Sequence, residues 1–262
     1  MARDSPSIER LVVGKDGFYF EPAFFEHFAR YRFARVHSPM GFVLDAACGT
    51  GYGTSFLTHK ANFVVGIDRS HEAILFCRQH YRKPTLHFQV MDVEATAFQR
   101  DSFDTVVSFE TIEHLEDPER FLGEMRRVLK PNGALLISTP VKGIYDQTFL
   151  GENPYHIHET DVDEFTQLLS TQFHIKSLYG QQLLPYMQAS KERLDTQETY
   201  KTTLRFSLKR FLRNHVFNHR MTYPLFWHLS QKVRDNKVIP YSPDQTFKLI
   251  TAICVNNKDP QR

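Results

Sequence analysis

Four carboxylates, Asp45, Asp68, Asp92 and Glu110, each close a short apolar run. A sheet built from those runs would gather all four at one edge. Behind Asp45 lies Ala46-Ala47-Cys48-Gly49-Thr50-Gly51-Tyr52-Gly53-Thr54. Its glycines permit positive φ and a close approach to a ligand. The helix expected next would add free N–H groups and a positive dipole end. The spacing is G-x-G-x-G, with Thr54 where a dinucleotide fingerprint places its last small residue. An acid ahead of the turn also disfavours a pyrophosphate and suits a cationic or zwitterionic ligand. Asp68 is placed to accept two ribose hydroxyls. Asp92 is placed to accept an exocyclic adenine amine, with the Val93 N–H on the ring.

A second cluster, Glu110-x-x-Glu113-His114, begins where the fourth apolar run ends. Removing a proton from a hydroxyl near neutral pH is work for an imidazole. His114 is the first candidate base, with Glu113 beside it. His156 and His158, in Asn153-Pro154-Tyr155-His156-Ile157-His158-Glu159, come next. An alternative is a divalent cation on Glu110, Glu113, His114 and either His156 or His158, a mixed oxygen and nitrogen set. A metal would lower the hydroxyl pKa directly and remove the need for a base. The base is the reading adopted, and a metal is not expected.

The elements that must position these groups alternate along the chain. Strands are expected at 42–47, 62–67, 86–91, 103–109, 134–138, 173–178 and 247–255. Helices are expected at 24–34, 54–59, after Ser70, after Pro118 and at 161–170. Lys130-Pro131-Asn132-Gly133 reads as a turn. This alternation predicts an α/β, Rossmann-like, doubly wound and mostly parallel sheet. In such sheets ligands bind beyond the carboxyl ends of the strands, where the four acids fall.

The 262 residues fit one large domain with an insertion. Residues 1–40 read as an N-terminal helical cap, 41–180 with 244–262 as the ligand-binding domain, and 181–243 as a helical insertion between the last two strands. Within the insertion, residues 199–237 are basic and partly amphipathic, which suits a lid, a dimer helix or an element docking on a membrane surface. A net charge of +2 gives no whole-molecule case for nucleic acid. Cys48, Cys77 and Cys254 form no metal or disulfide spacing and read as buried thiols in a reducing compartment. With no signal-like start and no apolar run of about 20 residues, a cytoplasmic protein is expected.

Residues 43–54, Val64-Val65-Gly66-Ile67-Asp68, Met91-Asp92, Phe103-Asp104-Thr105-Val106-Val107-Ser108 and Arg127-Val128-Leu129-Lys130-Pro131-Asn132-Gly133 resemble the successive motifs of class I S-adenosylmethionine-dependent methyltransferases. The resemblance spans about residues 25–180. It implies a seven-stranded sheet whose last strand is antiparallel, S-adenosylmethionine as cofactor, and methyl transfer to O, N or C. Arg30-Tyr31-Arg32-Phe33-Ala34, Gly51-Tyr52-Gly53, Phe109-Glu110-Thr111-Ile112-Glu113-His114 and residues 153–159 further resemble bacterial methyltransferases of glycan and surface-polysaccharide pathways. By that resemblance Arg30 or Tyr31 would close over the methionine end of the cofactor, Arg30 pairing with its carboxylate. Arg30, Tyr31, Asp45, Ala47, Gly49, Gly51, Asp68, Arg69, Asp92, Val93, Phe109 and Glu110 are thus the expected cofactor contacts. The expected acceptor is a hydroxyl of a small molecule or glycan. Two alternatives stand beside it. A metal-assisted RNA 2′-O- or quinone O-methyltransferase would use the Glu-x-x-Glu-His pattern, which such enzymes share. A regulatory protein would hold the cofactor without catalysis.

Overall fold

The computed structural model describes residues 22–144, 156–182 and 237–258. The apolar runs form five strands, β1 (Phe42–Ala46), β2 (Phe63–Asp68), β3 (Leu86–Val90), β4 (Phe103–Phe109) and β5 (Leu129–Pro140). These five pair in parallel with one another. Beyond Phe42, β1 is buried on both faces, which requires helices on both sides of the sheet. Val43, Val64 and Leu136 pack with α1 (Pro22–His37), α2 (Tyr52–Leu57) and α3 (His71–His80) through Phe28, Tyr31, Phe56 and Ile74. Leu44, Val106 and Leu135 face α4 (Pro118–Val128) and α5 (Val162–Ser170) through Phe121, Leu122, Met125 and Phe165.

Local chemistry sets the helix starts. The Ser70 side chain accepts from the Ala73 N–H at 3.2 Å. Asp117 accepts from the Arg120 N–H at 2.9 Å, with Pro118 in the first turn. Asp161 and Glu164 form a reciprocal capping box ahead of α5. Along α4, Phe121, Leu122, Met125 and Val128 make one fully buried stripe.

The sheet has eight strands rather than the expected seven, in the order β3-β2-β1-β4-β5-β8-β6-β7. β8 (Leu249–Val255) runs antiparallel between β5 and β6 (His174–Gln181). The additional strand is β7 (Val238–Pro240), which pairs antiparallel with Tyr179, Gly180 and Gln181. It falls inside the 181–243 segment read as a helical insertion, because the free edge of β6 offers its backbone groups a ladder. Most of that segment, including residues 199–236 of the basic stretch, lies outside the described residues. So do residues 1–21 of the expected cap.

The expected turn at Lys130–Gly133 is instead part of β5. Asn132 adopts φ 62°, its N–H donates to the Asn256 carbonyl at 2.8 Å, and the Asn256 N–H returns to Gly133 at 3.0 Å. The Asn256 side-chain amide also donates to the Leu129 and Lys130 carbonyls. Residues after β8 thus satisfy backbone groups that a free turn would leave to water. All three cysteines are buried and free of disulfides. No helix among the described residues is long and apolar enough to cross a membrane.

Candidate active site

The end of β1 runs into a turn in which Ala47, Gly49 and Gly51 all take positive φ, at 64°, 54° and 75°. A Cβ on Gly51 would meet the Cys77 sulfur at 2.6 Å and the Phe88 ring at 2.8 Å, so only glycine fits. Gly49 has nothing within 4 Å of its virtual Cβ, which leaves an open cradle over the turn. The helix behind the turn, α2, is only six residues long.

Asp45 is 1% exposed. Its carboxylate accepts from Thr54 Oγ1 at 2.6 Å and from Tyr31 Oη at 3.1 and 3.2 Å. Burial pushes its pKa up to about 7, against the lowering by those two hydroxyls. Asp45 therefore ties α1 to the first turn of α2, and Thr54, absent from the expected contacts, is its nearest partner. Tyr31 in turn lies edge-on to Phe109 at 5.2 Å and to Tyr52 at 5.8 Å.

Asp68 accepts from the Gly49 N–H at 3.0 Å and from the Ser70 N–H at 2.8 Å. One carboxylate thus sets both the glycine turn and the start of α3. Asp92 is exposed and accepts from the Glu94 N–H at 2.9 Å, with Val93 buried beside it. Arg69 is exposed. The strand ends do bring Asp45, Asp68 and Glu110 to one edge, since β2, β1 and β4 are adjacent.

Arg30, on α1, is fully buried. Its Nη1 donates to Gln181 Oε1 at 2.7 Å, whereas Nε and Nη2 have no hydrogen-bond acceptor among the described residues. The nearest acid is Glu110, with Oε1 3.8 Å from Nη2. Glu110 sits just past β4 at φ 54°, and its Oε1 accepts from Ser138 Oγ at 3.0 Å.

Glu113, His114 and His156 form a separate cluster. Their ligand atoms lie within 4.8 Å of one another. Glu113 and His114 belong to a short 3-10 turn after β4. His156 reaches them because the Ile157 and His158 N–H groups both donate to the Glu113 carbonyl, at 2.8 and 3.0 Å. Its Nδ1 lies 2.9 Å from Glu159 Oε1, a partner that fixes the ring. The imidazoles of His114 and His156 stand 5.0 Å apart. His158 is exposed and Glu110 is turned to Arg30 and Ser138, so neither joins this group. Of the alternative metal set, the structure thus brings together Glu113, His114 and His156, with Glu110 and His158 outside the group.

Residues 44–137 match a family described as a methyltransferase domain. A probable S-adenosylmethionine-dependent methyltransferase of Mycolicibacterium smegmatis is 34% identical over 142 residues, covering 53% of this chain and 54% of that one. A phthiotriol/phenolphthiotriol dimycocerosates methyltransferase of Mycobacterium ulcerans is 38% identical over 97 residues, covering 36% of this chain and 35% of its own. The chain spans about half the length of the first curated relatives it matches. Among solved structures, an S-adenosylmethionine-dependent methyltransferase of Thermotoga maritima shares the fold, with a TM-score of 0.59, 14% identity, and coverage of 89% of this chain and 92% of that one. Residues 44–137 thus match a methyltransferase domain, in a Rossmann-like fold shared with an S-adenosylmethionine-dependent methyltransferase of known structure, and S-adenosylmethionine is the cofactor this likeness implies. The residues present fit that cofactor. The open space at Gly49 admits a ligand, and the two orphaned Arg30 donors match a carboxylate.

Proposed function

We propose that this chain methylates a hydroxyl oxygen of a small molecule or glycan, using S-adenosylmethionine. The convergence of Glu113, His114 and His156 just past β4, beside the cofactor turn, carries this reading. When bound, the cofactor supplies an electrophilic methyl on a sulfonium. On the donor side, Arg30 offers Nε and Nη2 to the methionine carboxylate. Asp68 accepts from the ribose hydroxyls and also sets the Gly49 backbone. Asp92 and the Val93 N–H take the adenine edge, and Tyr31, Phe109 and Glu110 wall the methionine end. Asp45 acts from beneath, by holding Tyr31 and Thr54. On the acceptor side, the chain must align the hydroxyl in line with the methyl and exclude water. As the new O–C bond forms, the hydroxyl proton passes to the imidazole of His114 or His156. Glu113 and Glu159 stabilise the imidazolium.

A second reading is favoured by the same convergence. One carboxylate and two imidazoles, one of them braced by Glu159, suit a divalent cation. A cation there would acidify the acceptor hydroxyl in place of the base, as in a metal-assisted RNA 2′-O- or quinone O-methyltransferase. A relative named for phthiotriol dimycocerosates also brings lipid hydroxyls among the acceptors to be tried. The basic stretch at 199–237, and with it the dimer and membrane-surface expectations, lies almost wholly outside the described residues.

Transfer of labelled methyl to nucleotide sugars, quinols, lipid alcohols, small RNAs and a cell metabolite extract tests the proposal. A methyl ether product supports it. Label on nitrogen or carbon would sink the hydroxyl reading, and cofactor binding without any turnover would favour a regulatory protein. Activity retained in a chelator would remove the metal reading.

A further inference from the structure

Helix α1 places Glu26 and Arg30 one turn apart on its buried face, 2% and 0% exposed. Burying a charge is costly unless it is paired and hydrogen-bonded. Glu26 is paired through one oxygen: Lys248 Nζ, itself only 3% exposed as a residue, donates to its Oε2 at 2.8 Å, while Oε1 has no hydrogen-bond partner among the described residues. Arg30 is hydrogen-bonded on one corner only, through Gln181, and the nearest acid, Glu110, stands 3.8 Å from its Nη2. Gln181 is held from its other end as well, because its Nε2 donates to the Glu26 carbonyl at 3.2 Å. Its own carbonyl accepts from the Lys248 N–H at 3.0 Å. The last residue of β6, the residue before β8 and one turn of α1 thus form a single braced unit.

The corner that Gln181 occupies matters. Nη1 and the Nε/Nη2 edge of a guanidinium are different faces of one planar fork, and the Nε/Nη2 edge can hold both oxygens of a carboxylate. With Nη1 tied to Gln181, that two-donor edge is the part left without an acceptor. His27, between the two charged residues on α1, is held neutral by its burial and then by the positive charges of Arg30 and Lys248.

We infer that Gln181 is a positioning residue for the cofactor, braced by the Glu26–Lys248 pair, and that it turns the free edge of Arg30 to the methionine carboxylate. This inference rests on the donor-side assignment of Arg30 proposed above. Gln181 itself does not touch the reacting atoms. It fixes a guanidinium that would otherwise exchange corners between Glu110 and ligand.

The test compares S-adenosylhomocysteine, which has the carboxylate, with 5′-methylthioadenosine, which keeps the nucleoside and the thioether but lacks the amino-acid end. Gln181→Met should weaken binding of S-adenosylhomocysteine about tenfold, as expected for a lost hydrogen bond to a charged group, and leave methylthioadenosine within about twofold. Gln181→Asn, which keeps the amide but withdraws it by one methylene, should shift the ratio in the same direction. Equal weakening of both ligands by the two variants would overturn the inference, since it would mark Gln181 as a structural residue. An unchanged ratio would overturn it too. Arg30→Met separates the two levels of the argument. If it leaves the ratio unchanged, the assignment of Arg30 fails. If it lowers the ratio while both Gln181 variants do not, only the positioning role fails.

Discussion

The donor and acceptor sides proposed for this site are built differently. On the donor side every acid is committed to the chain's own backbone or hydroxyls. Asp45 holds Tyr31 and Thr54, and Asp68 holds Gly49 and Ser70. These contacts arise within a few dozen residues and lie on strand ends of a buried sheet. On the acceptor side the groups sit on a short 3-10 turn and on a loop some forty residues away, joined by two N–H donations to the Glu113 carbonyl. The contrast follows from the chemistry required. A common cofactor needs a rigid and pre-satisfied cradle, whereas a particular acceptor needs groups that loops can move without disturbing the core.

The sharpest way to break that comparison is to attack the cradle. Gly51→Val combines a β-branched residue at φ 75° with a Cβ inside contact distance of Cys77 and Phe88. Strain and overpacking together should cost roughly 5 kcal/mol, comparable to the whole stability of many domains. Thermal unfolding should show a large fall, with loss of S-adenosylhomocysteine binding. A variant with unchanged melting would mean that the cradle is not the rigid half of the site.

Asp45 offers a subtler probe of the same half. Its pKa rises from an ordinary 3.8 to about 7 in the folded chain. Between those values the native state binds more protons than the unfolded one, so this group subtracts stability as pH rises from about 4 to about 7. Below both values there is no penalty. Above both it is complete, on the order of 4 kcal/mol. Asp45→Asn cannot titrate. Plotted against pH, its stability relative to the natural chain should therefore climb across that window and then level off. A flat difference would show that Tyr31 and Thr54 keep Asp45 ionised throughout.

The same division explains what could be read from the sequence. Asp45, Asp68 and Glu110 were visible as strand-end acids, and the helix starts at Ser70 and Pro118 were visible because such start signals are local rules. Arg30 and Gln181 are 151 residues apart, and Glu26 and Lys248 are 222 apart. No local pattern links such residues, and only the antiparallel return of β8 brings them together. β7 escaped notice because three residues carry no usable alternation, and the Lys130–Gly133 segment because its partners lie beyond β8. His156 and His158 could not be told apart, since the choice depends on which one the donations to Glu113 draw inward.

The acceptor side should respond in rate rather than in stability. His114 has a side chain 23% exposed and neighbours only Glu113 and His156 among the cluster groups, so His114→Asn should cost only about 1 kcal/mol of stability. If its imidazole takes the hydroxyl proton, turnover should fall about 10²-fold or more, with S-adenosylhomocysteine affinity unchanged. Equal losses in affinity and turnover would merge the two halves of the site and undo the comparison. The smallest expected effect separates base from metal. Glu159→Gln leaves His156 a hydrogen-bond partner but removes the charge behind it. In a metal-free enzyme, turnover should fall roughly tenfold and not respond to added divalent ions, because the charge that stabilises the imidazolium is gone. If His156 is a metal ligand, the same change should weaken the ion by about 10- to 100-fold, and excess Mg²⁺ or Mn²⁺ should restore the rate. Rescue by metal, against no rescue, decides which chemistry the acceptor cluster performs.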